Sequence, residues 1–175
     1  MSESTHGPFD ELPGSARLWV FGADRPLTPA EEERILSEVD AFLDGWKAHG
    51  QPLSAARSWR YRRFLLVAAD ERVTPPSGCS IDALVRTLKG LEGELGVTLV
   101  DGGAVWFRDG ERVRSASRAD FSSLAERGEV GLETTVFDGS VTRLGELREG
   151  AWEAPAGDRW HARAFFRDAP SPSDV

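Results

Sequence analysis

The sequence predicts an α+β fold, a ferredoxin-like βαββαβ sandwich with a small α/β C-terminal subdomain. Two observations lead to this prediction. Strand-like and helix-like segments follow the order β-α-β-β-α-β over residues 16–115, and the sequence then changes to short elements with many aromatic residues. We therefore expect a flexible lead-in over residues 1–15, the sandwich over 16–115, the subdomain packed on it over 116–168, and a disordered tail over 169–175.

The first helix has the clearest signal. Thr28 suits the N-cap, Pro29 suits the first helical position, and Glu31 completes a capping box. Apolar residues then recur at helical spacing, and Gly50 predicts the end. The members of this apolar stripe are Ile35, Val39, Phe42 and Trp46.

Strands are expected on both sides of this helix. The segment 18–21 precedes it, and in the segment 54–69 Trp59 and Tyr61 alternate with arginines. A buried strand follows over 64–68, and a turn near Arg62-Arg63 would make the two strands a hairpin.

A second helix is expected from about Ser80, with Gly96 after its end. Segments 97–100 and 105–107 are strand candidates, and the second would pair with 112–115 across Asp109-Gly110. In the last third we expect a short helix beginning near Ser117, a strand over 134–137, one helical turn at 144–147 and an aromatic tail.

Composition excludes several classes of protein. The net charge of −8 argues against general affinity for nucleic acid or anionic membranes. The longest purely apolar run, Phe64–Ala69, is too short to cross a bilayer, and the first residues lack the pattern of a secretory signal. A single cysteine agrees with a reducing compartment, so we expect a cytoplasmic protein.

Cofactor and metal chemistry find no support in the sequence. There is no P-loop motif, so the protein is not expected to be a P-loop ATPase, and no cofactor is expected. One cysteine excludes multi-cysteine metal sites, and the histidines have no metal-ligand spacing. These histidines are His6, His49 and His161.

The first candidate site is the loop-to-helix junction at Cys79. Unpaired N–H groups and the helix dipole at such a position favour a thiolate and could bind an anion. The alternative is structural, with Ser80 as the helix cap, Gly78 in the turn and Cys79 buried. The expected anion-binding residues are Ser77, Gly78, Ser80 and Asp82, although the Asp82 carboxylate would oppose thiolate formation if it lies close.

The second candidate lies in the tail, at Asp158, Trp160, His161 and Arg163. A carboxylate, an imidazole and guanidinium groups could serve acid–base or anion-binding chemistry. If the tail folds back, His161 could act as the base for a Cys79 nucleophile. The simpler interpretation is that Trp160 anchors the tail and that the flanking charges are solvated.

The third candidate is a basic face formed by Arg57, Arg60, Arg62 and Arg63. Arginines interleaved with aromatics are typical of RNA-binding surfaces. Because the aromatics alternate with the arginines, the simpler interpretation is a core under a solvated arginine face.

Two resemblances add to these patterns. The segments 16–21, 42–50, 77–82, 134–137 and 158–161 together resemble a family of small bacterial proteins often labelled "ABC transporter ATPase". This resemblance implies no activity and supplies no catalytic residues, and the missing P-loop contradicts the label. Residues 118–155 resemble a GYF-related module through Phe121-x-x-Leu124, Gly128, Thr135-x-Val-Phe and Trp152, which implies peptide binding or a scaffold role.

We therefore expect a non-enzymatic cytoplasmic accessory or adaptor protein that binds a protein partner or itself. The first alternative is a small enzyme or anion-binding protein built on Cys79, with an anionic small molecule as ligand. The second is an RNA-binding accessory protein, which the acidic net charge disfavours.

Overall fold

The computed structural model describes residues 3–167, which form two compact units. The first unit contains the residues up to Asp101 together with Thr142–Gly145, and the second contains Gly102–Val141 and the residues from Glu146 onwards. The helices are α1 Pro29–Asp44, α2 Gly78–Leu95, α3 Arg118–Glu126, α4 Leu144–Arg148 and α5 His161–Phe165. The strands are β1 Ser4–His6, β2 Arg17–Gly22, β3 Lys47–Ala48, β4 Gln51–Pro52, β5 Ala55–Arg60, β6 Phe64–Ala69, β7 Val105–Asp109, β8 Arg112–Ala116, β9 Thr135–Phe137 and β10 Glu153–Pro155.

The first unit is an antiparallel sheet in the order β1-β5-β6-β2, with α1 and α2 packed against it. Alternate side chains of β6, such as Leu65 and Val67, join the helix residues Ile35, Val39 and Leu84 in one buried cluster. The α+β class that the sequence predicts is therefore confirmed. The expected hairpin of β5 and β6 is also present, with Arg60 opposite Phe64.

Helix α1 begins as predicted, but it ends earlier. The Thr28 hydroxyl accepts from the Glu31 amide, and the Glu31 carboxylate accepts from the Thr28 amide, which completes the capping box. The helix ends at Asp44, whereas Gly50 was the predicted stop. Residues 47–52 instead form the β3–β4 hairpin, and Gly50 occupies its turn at a φ of 77°.

Segment 97–100 is not a strand, so this strand candidate is wrong. Its backbone donors are used elsewhere, because the Glu92 carboxylate accepts from the amides of Leu99 and Val100 at 2.6 and 2.9 Å. The Thr98 amide donates to the Asp24 carboxylate at 2.9 Å. With this strand missing, the ferredoxin-like arrangement stays a prediction.

The predicted flexible lead-in contains regular structure. Strand β1 pairs with β5 at the edge of the sheet, and a short 3₁₀ helix covers Phe9–Glu11. The Arg57 guanidinium fixes this strand by donating to the carbonyl and hydroxyl oxygens of Ser4 at 3.0 and 2.8 Å. This contact joins residues 53 positions apart and leaves no periodic signal in the sequence.

The second unit is an antiparallel sheet in the order β10-β9-β7-β8, with α3 packed on it. The predicted β7–β8 hairpin is present, with Asp109 opposite Arg112. It belongs to this unit because Trp106 and Phe107 of β7 pair with Phe137 and Val136 of β9. The observed division after Asp101 thus differs from the predicted boundary between residues 115 and 116.

Two further expectations stay predictions: the packing of the subdomain on the sandwich, and the disordered tail over 169–175, which lies outside the described residues.

Candidate functional site

The start of α2 is a reciprocal capping box made by two serines. Ser77 is the N-cap, and its hydroxyl accepts from the Ser80 amide at 3.1 Å. The Ser80 hydroxyl accepts from the Ser77 amide and donates to the Ser77 carbonyl, both at 2.7 Å. The predicted cap was Ser80, and the observed cap is Ser77. Ser80 is buried and its hydroxyl is occupied by the capping box, which disfavours an anion there, and its anion-binding role stays a prediction.

Cys79 is the second residue of α2, and its side chain is exposed. The structural alternative of a buried filler is therefore wrong. Gly78 and Asp82 are exposed on the same turn. Because the capping box occupies the Ser80 amide, the amides of Gly78 and Cys79 are the donors that an anion at this helix start would meet.

His161 lies in the second unit, whereas Cys79 lies in the first. Its ring stacks on Trp160, with the two ring centroids 3.9 Å apart. The ring centroids of Phe121 and Phe165 lie 6.5 and 6.3 Å from that of His161. The residue is only 1% exposed, so a substrate in solvent does not reach it. The Cys79–His161 pair stays a prediction, and the observed surroundings of His161 are those of a core residue.

The protonation of His161 is opposed by its surroundings. Burial lowers the pKa of its imidazole to about 4, because the cationic form loses its hydration. The nearby Asp138 raises this pKa, while the guanidinium groups of Arg159 and Arg118 lower it further. With this lowered pKa the ring is neutral at pH 7, and its Nδ1 has no hydrogen-bond partner among the described residues.

The other predicted tail residues are divided between surface and interior. Asp158 and Arg163 are exposed, whereas Trp160 is half-buried and its indole nitrogen donates to the Asp138 carboxylate at 3.1 Å. Arg159 donates to the same carboxylate at 2.5 Å. The anchoring role of Trp160 is thus confirmed, and its partner is a residue that the sequence did not single out.

Asp138 is the missed residue at this site. Its side chain is fully buried, and one of its oxygens also accepts from the amide and hydroxyl of Ser140 at 2.8 and 2.6 Å. Burial alone would raise the pKa of Asp138, but the hydrogen bonds from Ser140 and Arg159 outweigh burial and hold it below its ordinary value. The Asp138-Gly139 pair predicts a turn, and no sequence signal distinguishes a buried aspartate from an exposed one there.

The proposed basic face is largely neutralised. Arg57 is buried, and its guanidinium donates to both oxygens of Asp40 at 2.7 and 2.9 Å. Arg63 is also buried and donates to the Ala23 carbonyl at 3.0 Å. Arg60 pairs with Glu3 and Arg62 with Glu32. The expected solvated arginine face is therefore wrong for Arg57 and Arg63.

A different surface carries aromatic residues in the second unit. Trp160, Phe165 and Phe166 are half-buried and pack against a core that contains Phe121. The Arg118 guanidinium lies 4.7 Å from the centroid of the Trp160 ring, and Phe165 contacts Phe121 at 4.8 Å. We call Trp160, Phe165 and Phe166, with the exposed Arg118 and Arg163, the C-terminal aromatic surface.

Residues 3–167 offer neither a membrane span nor a cluster of metal ligands. In that range no helix is long and apolar enough to cross a membrane. The same residues contain no group of three or more His, Cys, Asp or Glu side chains suited to a metal ion.

Fold and site together describe an α+β protein of two units, with an exposed thiol on the first and an aromatic surface on the second. No family model matches the sequence, and neither the search of curated proteins nor the search of solved structures returns a significant match.

Proposed function

We propose that this protein is a non-enzymatic cytoplasmic adaptor or accessory protein that binds a protein partner through the C-terminal aromatic surface. The observation that carries this proposal is the composition of that surface. It combines one Trp and two Phe side chains with two exposed arginines, which are residue types enriched in the energetically dominant parts of interfaces.

The arrangement of these residues also supports a binding role. The aromatic rings are already ordered, because Trp160 is held by Asp138, Arg118 and His161, and Phe165 by Phe121. A preordered ring loses little conformational entropy when a partner covers it, which favours affinity. The resemblance of residues 118–155 to GYF-related modules points to the same class of function.

The test places a photo-cross-linking amino acid at the exposed position Ala164 on α5, with the same substitution at the exposed Arg112 as the matched control. We expect a stoichiometric cross-linked protein, or a second copy of this protein, at position 164 but not at position 112. With the captured partner in purified form, Phe166→Ala should weaken binding by about tenfold or more. A monomer that yields no stoichiometric partner at position 164 contradicts the proposal.

The alternative of an anion-binding protein or small enzyme has one observation in its favour: the exposed Cys79 thiol at the start of an 18-residue helix. Its test is the rate of native-state alkylation as a function of pH. A reaction midpoint clearly below about 8.5 favours this alternative. Wild-type behaviour of Cys79→Ala in binding and activity assays excludes it.

RNA binding through Arg57–Arg63 is less well supported than either, since these cations already have acidic or carbonyl partners. Absent or salt-independent RNA binding excludes it.

A further inference from the structure

We propose that the segment Arg159–Phe166 is an acid-released element: protonation of His161 detaches it from α3 and dismantles the C-terminal aromatic surface. This inference deepens the proposed function, because it describes how binding at that surface would be regulated. Release of the segment is a property of the free protein and requires no partner.

The segment is attached by the packing of its aromatic side chains and by the ion pair of Arg159 with the buried Asp138. The ring centroids of Phe165 and Phe166 lie 4.8 and 6.2 Å from that of Phe121 in α3, and the Trp160 indole donates to Asp138. Its helix α5 has only five residues, so it is too short to persist without packing. A segment of this kind can open locally while the sheet of the second unit remains folded.

The imidazole of His161 lies at the centre of this attachment. It is almost completely buried and stacks on Trp160, and its Nδ1 has no partner within the described part of the sequence. Protonation would make both ring nitrogens donors, and the buried Nδ1–H would then lack an acceptor. A buried cationic donor without an acceptor strongly destabilises the docked arrangement, because its lost hydration is not replaced.

The charged groups around His161 do not offset this cost. From α3 the Arg118 guanidinium faces the Trp160 ring on which His161 stacks, and Arg159 approaches from the segment itself. From the end of β9 comes the Asp138 carboxylate, which favours the cation but already accepts from Ser140, Trp160 and Arg159. The flanking charges Asp158 and Arg163 are exposed to solvent.

Release exchanges the buried imidazole for a solvated one. The low pKa of the docked ring, about 4, means that the detached segment binds the proton more tightly than the docked segment does. Docking should therefore weaken as the pH falls below about 6.5, the ordinary histidine value, and each pH unit changes the docking equilibrium by up to about tenfold.

The test is a pH titration of the full-length protein from about 7.5 to about 4.5 by ¹H–¹⁵N NMR, a range that brackets the ordinary histidine pKa. It follows the Trp160 indole N–H resonance and the amide-exchange protection factors of Ala162–Phe166. In the wild type we expect the Trp160 resonance to lose its docked position and these protection factors to fall by about tenfold or more between about pH 6.5 and 5. Protection of β7 and β9 should persist.

Two variants and one control isolate His161. His161→Phe keeps an aromatic ring, and His161→Gln keeps a neutral polar group. In each variant that reaches the folded state, the segment Arg159–Phe166 should therefore remain docked at about pH 5. His49→Phe, at an exposed histidine of the first unit, should behave as the wild type. The imidazole C–H resonances of His161 in the wild type supply a readout independent of any substitution, and their midpoint should coincide with release.

Three results would overturn the inference: a wild-type segment that stays docked at the acid end of the titration, release at the same pH in all variants, or loss of β7 and β9 together with the segment. A partner that binds equally well at both ends of the titration, despite release, would instead contradict the proposed binding surface. The two failures are therefore distinguishable.

Discussion

Each unit contains an ion pair in which one member is buried and contacts a distant segment, and the two pairs are built in opposite ways. In the first unit the buried member is the cation, since the Arg57 side chain is 6% exposed and that of Asp40 is 25% exposed. In the second unit the buried member is the anion, since Asp138 is 0% exposed and Arg159 is 24% exposed. The difference matters because a carboxylate can take up a proton, whereas a guanidinium remains charged.

Both buried members also hold a distant part of their own unit. Arg57 donates to Ser4 and so fixes the edge strand β1, while Asp138 accepts from Trp160 and so fixes the segment before α5. The buried charge is thus a tether in each unit. Of these two tethers, only that of the second unit can respond to pH by changing its own charge.

The largest effect is expected when the outer partner of the buried cation is removed. Asp40→Ala leaves the Arg57 guanidinium buried with only the Ser4 oxygens as acceptors. Breaking a buried pair in this way should lower the free energy of unfolding by about 3 kcal/mol or more. Urea unfolding at several pH values measures this loss.

Glu33→Ala is the matched control for Asp40→Ala, because it removes an exposed carboxylate from the same helix. Its effect should stay within about 0.5 kcal/mol. Equal losses for the two variants would show that burial of Arg57 does not set the cost.

The corresponding substitution in the second unit should have a smaller and pH-dependent effect. Arg159→Ala leaves Asp138 with its hydrogen bonds from Ser140 and Trp160, and the loss in free energy of unfolding at neutral pH should be about 2 kcal/mol. In the wild type the pKa of Asp138 lies below its ordinary value. Its contribution to stability is therefore present above about pH 4 and is lost as the pH falls through the folded pKa.

Without Arg159, burial favours the protonated form of Asp138 and raises its pKa. Acid then stabilises the variant relative to the wild type, so the difference between them should narrow from about pH 7 to about pH 5. Arg163→Ala, at an exposed arginine of the same segment, is the control. A difference that widens in acid would contradict this account of the tether.

These tethers also show where sequence reasoning succeeds and fails. The start of α1 is predictable because Thr28 and Glu31 are three residues apart and form their contacts locally. The Arg57–Ser4 and Trp160–Asp138 contacts span 53 and 22 residues, and no periodicity links their members. The wrong strand prediction for segment 97–100 has the same cause, a contact that leaves no periodic signal. Its β-type residues predict a strand, but the Glu92 carboxylate accepts from the amides of Leu99 and Val100.

At the candidate sites, the sequence located a cysteine at a helix start and an aromatic anchor at Trp160, but it did not establish that Cys79 is exposed. It did not predict that His161 is buried, because a histidine among charged and aromatic neighbours fits surface and core equally well. Burial is a property of tertiary packing, and it decides whether an imidazole acts as an accessible base or as a destabilising group in acid.

A third prediction concerns the stability of the whole protein in acid. His161 has a folded pKa of about 4, below the ordinary value of about 6.5, so the unfolded state binds the proton first as the pH falls. This contribution to stability is complete above about pH 6.5 and declines towards pH 4. The free energy of unfolding should be lower at about pH 5 than at about pH 7.5 by up to about 2 kcal/mol, and His161→Phe should remove most of this difference.

Denaturant titrations of both proteins at the two pH values measure that difference, and His49→Phe supplies the control. If the free energy of unfolding fell by the same amount in His161→Phe and in the wild type, the loss of stability in acid would belong to groups other than His161.

The smallest effect is expected at the start of α2, where no buried charge is involved. Ser77→Ala removes the acceptor for the Ser80 amide, whereas the Ser77 backbone still binds the Ser80 hydroxyl. Loss of one capping contact should lower the free energy of unfolding by about 1 kcal/mol, with no dependence on pH between about 5 and 8. Thr28→Ala at α1 should cost a similar amount, because it removes the same kind of contact at an equivalent position. Costs as large as that of Asp40→Ala would mean that local caps, and not the buried tethers, dominate the stability of the first unit.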